Sequence, residues 1–193
     1  MAVILPPHKP LRDQVRRPLT VLFVGINPGV RSAAIGHHFA GYSNRFWKLL
    51  YEARLVDERL VAEDDARLPE WRLGITNLIP RMTPGIDTLR PDEYLAGERA
   101  LRRKVRRWRP VVVALLGVTL FRVVFERRPA DRLELGLQNE RFEGARVFVL
   151  PNPSGRNANF TYAEMLNAFR GLRRLAHRMP SRPSRGPSRA ESL

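Results

Sequence analysis

Four short apolar runs, separated by stretches with helical periodicity, constrain the fold of this chain more than any other feature. The runs cover 21–25 (VLFVG), 74–78 (GITNL), 111–117 (VVVALLG) and 146–151 (RVFVLP). A continuous apolar run of this length is typical of a strand that is buried on both faces, as in a parallel sheet.

The stretches between these runs predict helices over 43–55, 91–108, 118–125 and 161–175. Pro91 suits a first helical position, and Asp92 and Glu93 suit a first turn. The residues Thr161 to Glu164 (TYAE) form a capping-box pattern. Alternating strands and helices predict an α/β fold with a parallel sheet.

The 193 residues suit one domain, expected over 1–178 with its core at about 20–175. From Met179 the composition shifts to Pro, Ser, Arg and Gly, and we expect 179–193 to be a disordered basic tail. We expect neither a signal peptide nor a membrane span. The lack of cysteine excludes thiolate metal sites and fits a reducing cytoplasm.

The chain is strongly basic, with 34 Lys and Arg against 19 Asp and Glu and a net charge of +15. Such an excess favours a polyanionic partner, above all nucleic acid. A GC-rich genome that encodes many arginines explains the same composition equally well. Charge alone therefore leaves both explanations open.

The segment GINPG at 25–29 comes directly after the first predicted strand. Ligands of open α/β sheets bind at the carboxyl ends of strands. Pro28 favours an extended backbone at Asn27, and Gly29 permits a positive φ or the close approach of a ligand. The pentapeptide thus presents the Asn27 amide at this end of the sheet, although an ordinary turn explains it as well when it is taken alone.

The segment GHHFAG at 36–41 places an aromatic ring, Phe39, in a loop bounded by glycines. A ring in such a loop can stack on a nucleobase, which contributes roughly 1–3 kcal/mol per base; the alternative is a core position. His37 and His38 are adjacent and lack the spacing of a helical zinc pair, so we expect no metal site.

Two further polar positions follow predicted strands. The loop NPSGRN at 152–157 contains small residues that permit close approach to DNA, and Arg156 suits the space left by a flipped base. Asn77, near the end of the second strand, has an amide that can read the edge of a pyrimidine. Taken alone, the 152–157 loop is better explained as a polar loop whose arginine touches a phosphate or only water, and Asn77 can equally be a turn-adjacent residue that satisfies backbone groups.

Taken together, these blocks resemble the mismatch-specific uracil-DNA glycosylase and thymine-DNA glycosylase family, within the uracil-DNA glycosylase superfamily. The similarity is carried by GINPG (25–29), GHHFAGYSNRFWKLL (36–50), GITNLIPRMTPG (74–85), LELGLQ (133–138) and NPSGRNANF (152–160), in the order of the family. The resemblance implies a central four-stranded parallel sheet with helices on both faces.

The resemblance also implies roles for individual residues. Asn27 corresponds to the catalytic residue that positions the attacking water, and Phe39 to the ring that stacks on the flipped base. The expected base pocket consists of Ile26, Gly29, Ser32, Phe39, Asn44 and Asn77, with Ser32 near the pyrimidine C5 edge. The loop formed by Ser154, Gly155 and Arg156 corresponds to the wedge that faces the widowed guanine, where bacterial relatives often have Leu at the position of Arg156.

The implied enzyme hydrolyses the N-glycosidic bond of a mispaired uracil, thymine or etheno-cytosine in double-stranded DNA, without cofactor or metal. We expect it to act as a cytoplasmic, nucleoid-associated monomer in base excision repair. No lysine lies in the segments GINPG, GHHFAG and NPSGRN, which predicts a monofunctional enzyme without β-lyase activity. Asp87, Asp92 and Glu93 are weaker candidates to assist the water, since charge at a helix start explains Asp92 and Glu93.

Two rival hypotheses use parts of the same sequence. A non-catalytic protein that binds mismatched DNA needs the charge and the wedge loop but not Asn27. An α/β enzyme that acts on free nucleotides, with GINPG as a phosphate-binding turn, needs neither Arg156 nor the high net charge.

Overall fold

The computed structural model of the chain describes residues 10–128 and 133–178, which contain a five-stranded mixed sheet. The strands are β1 (Val21–Gly25), β2 (Leu73–Asn77), β3 (Val112–Leu116), β4 (Gly136–Phe142) and β5 (Ala145–Leu150). Their spatial order is β2-β1-β3-β5-β4. β2, β1, β3 and β5 run parallel, and β4 pairs antiparallel with β5.

Five α-helices connect these strands, together with two 3-10 helices. The α-helices are α1 (Val30–Ile35), α2 (Phe46–Glu52), α3 (Pro91–Trp108), α4 (Val118–Val124) and α5 (Tyr162–His177). The 3-10 helices cover Ala62–Trp71 and Ile86–Thr88. The Thr161 side chain caps α5 in the predicted way, accepting from the backbone N–H of Glu164, and the Glu164 carboxylate accepts in turn from Thr161 N.

Side chains alternate between two apolar layers, because successive residues of a strand point to opposite faces of a sheet. On β1, Val21 and Phe23 pack with α2 and α5, whereas Leu22 and Val24 pack with α3 and α4. Every residue of β1 and of β3 is buried. The sheet is therefore covered on both faces, which explains why its central strands are continuously apolar.

The predicted α/β class is confirmed, and all four predicted strands form the parallel part of the sheet. The prediction of four strands is one too few, because β4 forms an antiparallel hairpin with β5. Its sequence, GLQNERF, is mostly polar and alternates between half-buried and exposed residues up to the buried Phe142, so it was not recognised as one of the buried runs. The short helix α1 was also not predicted; it begins directly after Gly29 without a side-chain cap.

A segment before β1 lies along the outer side of β2. The backbones of Gln14 and Ile75 form two antiparallel hydrogen bonds of 3.1 and 3.0 Å. Asp13 accepts hydrogen bonds from the buried Thr76 and from Lys104 of α3. These contacts fix the segment to the sheet and to the helix layer beside it.

Within 10–128 and 133–178, no helix has the length and apolar character that crossing a membrane would require. The tail predicted at 179–193 lies outside the described residues.

Candidate active site

The polar residues singled out in the sequence lie at the carboxyl ends of parallel strands of the sheet. Asn27 follows β1, Asn77 ends β2 and Asn152 follows β5. Beyond the strands, Leu78 N donates to Gly25 O and Ile79 N to Ile26 O, both at 2.8 Å. The segments after β1 and β2 therefore stay paired as they leave the sheet, which fixes Asn27 relative to the loop after β2.

The side-chain amide of Asn27 has a defined orientation. Its Nδ2 lies 2.8 Å from Thr83 Oγ1, 3.2 Å from Arg81 O and 3.3 Å from Pro28 O. The two carbonyls only accept, so the nitrogen must be the atom facing them. Within the part of the chain that the structure describes, no group donates to Asn27 Oδ1. The half-buried amide thus keeps its acceptor oxygen for a group outside the protein, such as water.

Thr83 and Arg81 form the support for this amide, and the sequence analysis did not identify either residue. Thr83 is 3% exposed and its hydroxyl donates to Gly85 O, so the same oxygen is left to accept from Asn27. Arg81 is held by two hydrogen bonds to the Glu93 carboxylate, of 2.6 and 2.8 Å. Their place in the block GITNLIPRMTPG, close to the predicted site, was the available signal.

Gly25, Phe39 and Asn77 meet beside Asn27. A Cβ atom at Gly25 would lie 2.7 Å from Asn77 Oδ1 and 3.3 Å from Phe39 Cζ, so this position has room only for glycine. Gly25 and Asn77 are also direct partners in the β1–β2 register. The structure therefore brings together an amide, an aromatic ring and the end of β1; their role as a base pocket remains a prediction.

Phe39 is half-buried and has a left-handed backbone, with φ of +52°. Its ring packs on Phe46, with ring centroids 4.3 Å apart and planes inclined by 33°. A non-glycine residue in this backbone region is strained and persists only where its surroundings fix it. The ring is thus neither an ordinary core residue nor a freely mobile loop side chain.

Two of the predicted pocket residues use their polar atoms to hold the local backbone. Ser32 is 5% exposed, and its hydroxyl accepts from Ala40 N at 3.0 Å. Asn44 Oδ1 accepts from Phe46 N at 2.9 Å, at the start of α2. Ser32 ties α1 to the loop that contains Phe39, and Asn44 orients the entry to α2; contact of either residue with a base remains a prediction.

The remaining two predicted pocket residues, Ile26 and Gly29, differ in burial. Ile26 is 6% exposed and packs in the apolar layer that contains α3 and α4. Gly29 has φ of −76°, so the positive φ that we considered for it is wrong. The alternative, space for close approach, agrees with the structure: a Cβ at Gly29 would have no neighbour within 4 Å.

The predicted wedge loop, 154–156, is held by contacts on two sides of the site. Arg45 N donates to Pro153 O at 2.9 Å, and a Cβ at Gly155 would lie 2.3 Å from Ser43 Oγ. Ser154 Oγ accepts from Arg156 N at 3.3 Å within the loop. The exposed Arg156 guanidinium donates to Pro84 O at 2.9 Å, next to Thr83. The loop therefore contacts both the Phe39 side and the Asn27 side of the site.

The acidic residues near this site have structural partners. Asp92 forms an ion pair with Arg90 at 3.0 Å, and this hydrogen bond lowers the pKa of its carboxyl. The hydrogen bond from Arg81, together with that from Arg90 N, lowers the pKa of Glu93 to about 2. Both residues therefore act at the start of α3. Asp87 is exposed, in the 3-10 helix Ile86–Thr88.

His37 and His38 bind one buried carboxylate, that of Asp65. Their Nδ1 atoms lie 3.1 and 2.9 Å from the two oxygens of Asp65. A carboxylate only accepts, so both rings must carry their hydrogen on Nδ1. Among the described residues, no group of three or more histidines and carboxylates has the arrangement needed to hold a metal ion.

Comparison with known proteins identifies the family of this chain and solved structures with a similar fold. The family model of the uracil DNA glycosylase superfamily matches residues 13–173. A solution NMR structure of a candidate uracil DNA glycosylase from Methanosarcina acetivorans has a similar fold, with a TM-score of 0.58 and 16% sequence identity. The match covers 86% of this chain and 98% of that one.

Proposed function

Because this chain belongs to the uracil DNA glycosylase superfamily, we propose that it is a monofunctional glycosylase specific for uracil opposite guanine. It flips the uracil out of the duplex and hydrolyses its bond to deoxyribose, leaving an abasic site. Thymine and etheno-cytosine opposite guanine are the further substrates that the proposal includes.

The orientation of Asn27 is the observation that supports this proposal most directly. Three oxygens hold its Nδ2, so Oδ1 remains to accept a hydrogen from the attacking water. An amide is not basic enough to remove a proton at neutral pH, so its contribution is positioning of the nucleophile. An aspartate there would add general base catalysis, worth roughly 10²–10⁴-fold in rate. We therefore expect slow turnover that depends on a good leaving group.

Cleavage leaves negative charge on the departing base, which needs hydrogen-bond donors. In the 36–41 loop, four amides already donate to Ser32 or Asp65, whereas the amides of Phe39 and Gly41 have no acceptor among the described residues. We assign the N–H of Phe39 as a donor to the base stacked on the same residue. A preorganised donor of this kind contributes about 3–4 kcal/mol when tested by removal.

The preference for a mispair follows from the cost of flipping. Extruding a nucleotide costs a few kcal/mol, and least for a mispaired base. Arg156 comes from a loop that contacts both the Phe39 side and the Asn27 side of the site, and its exposed side chain is available to fill the vacated space. Its five donors suit the O6 and N7 acceptors that a guanine presents on its major-groove edge.

The lysines of the described residues have other partners, which supports hydrolysis without a Schiff base. Lys48 pairs with Glu52, and Lys104 with Asp13. Strand nicking by the purified protein in the absence of alkali would contradict the monofunctional assignment.

The decisive experiment uses labelled duplexes that contain a single G·U, G·T or A·U pair. After incubation with protein, alkali cleaves any abasic site. We expect scission with G·U to exceed scission with A·U, and we expect Asn27→Ala to abolish cleavage while duplex binding persists. Binding of every duplex without cleavage would refute the proposal in favour of a non-catalytic mismatch-binding protein.

A further inference from the structure

Asp65 is the most completely hydrogen-bonded buried charge among the described residues, and it lies directly behind the Phe39 loop. Its side chain is 0% exposed. It accepts from His38 N at 3.0 Å, from His38 Nδ1 at 2.9 Å, from His37 Nδ1 at 3.1 Å and from Gln14 Nε2 at 3.3 Å. A buried carboxylate is tolerated when its lone pairs are satisfied in this way.

We propose that Asp65 is a positioning residue that fixes Phe39 as the stacking surface for the flipped base. This inference rests on the proposed glycosylase function. Asp65 does not itself contact the base; it acts through His37 and His38, the two residues that immediately precede Phe39.

The geometry of the loop explains why such an anchor is needed. Phe39 has a left-handed backbone at φ of +52°, which a non-glycine residue adopts only under constraint. Three of the four Asp65 hydrogen bonds come from the two residues before it. On the other side, the Ser32 hydroxyl accepts from Ala40 N. The backbone is thus fixed on both sides of Phe39, by the Asp65 carboxylate before it and by the Ser32 hydroxyl after it.

The anchor belongs to a rigid part of the molecule. Asp65 lies in the 3-10 helix Ala62–Trp71, which leads directly into β2. Gln14, its fourth partner, is paired with Ile75 in the middle of β2. The loop is therefore positioned against the same strand that ends in Asn77, so Asp65 sets the distance between the ring and the amide of the pocket.

The charge state of Asp65 agrees with this role. Burial raises the pKa of Asp65, but the hydrogen bonds from the His38 ring and backbone and from the His37 ring outweigh it and keep the pKa below its usual value. The ionised carboxylate keeps both rings protonated on Nδ1. His38 Nε2 is buried and has no hydrogen-bond partner in the described part of the chain. That nitrogen gives a spectroscopic marker of the anchor.

The test is a double-mutant cycle between Asp65→Asn and Phe39→Leu, measured by single-turnover cleavage of a G·U duplex and by thermal unfolding. If Asp65 acts through Phe39, Asp65→Asn slows cleavage about 10-fold or more in the wild-type background, because small misplacement in an active site has effects of this size. In the Phe39→Leu background the same change alters the rate less than about twofold, since residues acting as a unit are not additive. The shift in unfolding temperature stays similar in both backgrounds.

Two variants keep this test falsifiable. Asp64→Asn is the matched control: among the described residues this neighbouring carboxylate accepts only from Val61 N at the start of the same 3-10 helix, so the change should leave cleavage unchanged. If Asp65→Asn fails to fold, His37→Ala takes its place, because it removes one donor at a partly exposed position. It should slow cleavage by a smaller factor in the wild-type background and have little effect in the Phe39→Leu background. Equal rate losses with and without Phe39, or no rate loss, would overturn the positioning role.

A readout without activity separates this inference from the proposed function. Nitrogen-15 NMR of the histidine rings should show His37 and His38 protonated at Nδ1 in the wild type, and loss of that tautomer in Asp65→Asn. If the wild type cleaved no duplex yet showed this spectrum, the glycosylase proposal would fail while the anchor stood. If the rings were protonated at Nε2 instead, the anchor would fail whatever the activity.

Discussion

The Nδ2 atom of Asn27 lies 2.8 Å from the hydroxyl oxygen of Thr83, and that hydroxyl donates in turn to the carbonyl of Gly85. The acceptor for the amide is therefore oriented by the loop after β2 and not by solvent. A residue 56 positions away in the sequence thus determines where Asn27 Oδ1 can hold a water.

Replacing Thr83 tests this relationship. Thr83→Val keeps the shape but removes the hydroxyl, so Asn27 loses its shortest hydrogen bond. We expect single-turnover cleavage about 10- to 100-fold slower, a positioning effect, with duplex affinity unchanged. Thr83→Ser, which keeps the hydroxyl, is the control; equal rates for the two variants would show that the contact has no role in cleavage.

Arg156 should contribute to DNA binding through its charge and through its shape. Arg156→Ala is expected to weaken binding of the G·U duplex and to reduce the slope of log affinity against log salt by about 1. Arg156→Lys should restore the slope but not the full affinity, because Lys cannot form a planar two-bond contact. Arg103→Ala, which removes one charge from the exposed side of α3, is the comparison; identical losses at both sites would indicate a purely electrostatic role.

Gly155 should tolerate no side chain. Its Cβ would lie 2.3 Å from both Cβ and Oγ of Ser43 and 2.7 Å from Ser43 O. Gly155→Ala is therefore expected to reduce the free energy of unfolding by roughly 1–3 kcal/mol, as overpacking does, or to displace the loop and weaken DNA binding. Adding Ser43→Gly should recover only part of the loss, since the backbone oxygen remains. Denaturant unfolding and duplex titration measure both effects, and an unchanged protein would show that the loop is free to move.

The Arg81–Glu93 pair predicts a pH dependence of stability. The Arg81 hydrogen bond lowers the pKa of Glu93 from its ordinary 4.5 to about 2. A carboxyl whose pKa is lower in the folded state than in the unfolded state stabilises the protein at pH values above its unfolded-state pKa. This stabilisation is lost as the pH falls through the folded-state pKa. The difference in unfolding temperature between wild type and Glu93→Gln should thus be constant above pH 4.5 and should shrink towards zero as the pH falls towards 2. A difference that widens on acidification would contradict the assignment.

The sequence was most informative where local pattern and final environment agree. The run at 21–25 and the periodic stretch at 91–108 became β1 and α3 with the predicted bounds. Both elements have their pattern fixed by burial, β1 on both faces and α3 along the stripe that contains Leu101 and Val105. Strand β4 escaped prediction because its four middle residues, 138–141, are all polar, and because its pairing depends on the tight turn at Glu143 and Gly144, both with positive φ.

The site could be predicted in part for a similar reason. Asn27, Phe39 and Asn77 follow strands or lie in a glycine-bounded loop, so their neighbourhood could be inferred from the topology of a parallel sheet. Thr83 and Asp65 support the site across long sequence separations. A buried threonine or aspartate has no local pattern that names its distant partner. Only the folded chain shows which hydrogen bonds each of them makes.

The pairing of Gln14 with Ile75 has a consequence for solubility. Strand β2 is an outer strand, and an uncovered outer strand offers its free amides and carbonyls to other chains. The segment before β1 occupies the middle of that edge, and Gly74 leaves room for it, since a Cβ there would lie 3.2 Å from Gln14 O. The opposite edge, β4, is interrupted by a register shift and has charged residues, Glu140 and Arg141 among them. Both edges of the sheet are thus protected against edge-to-edge aggregation. Loss of the segment before β1 would expose β2 to pairing with strands of other chains.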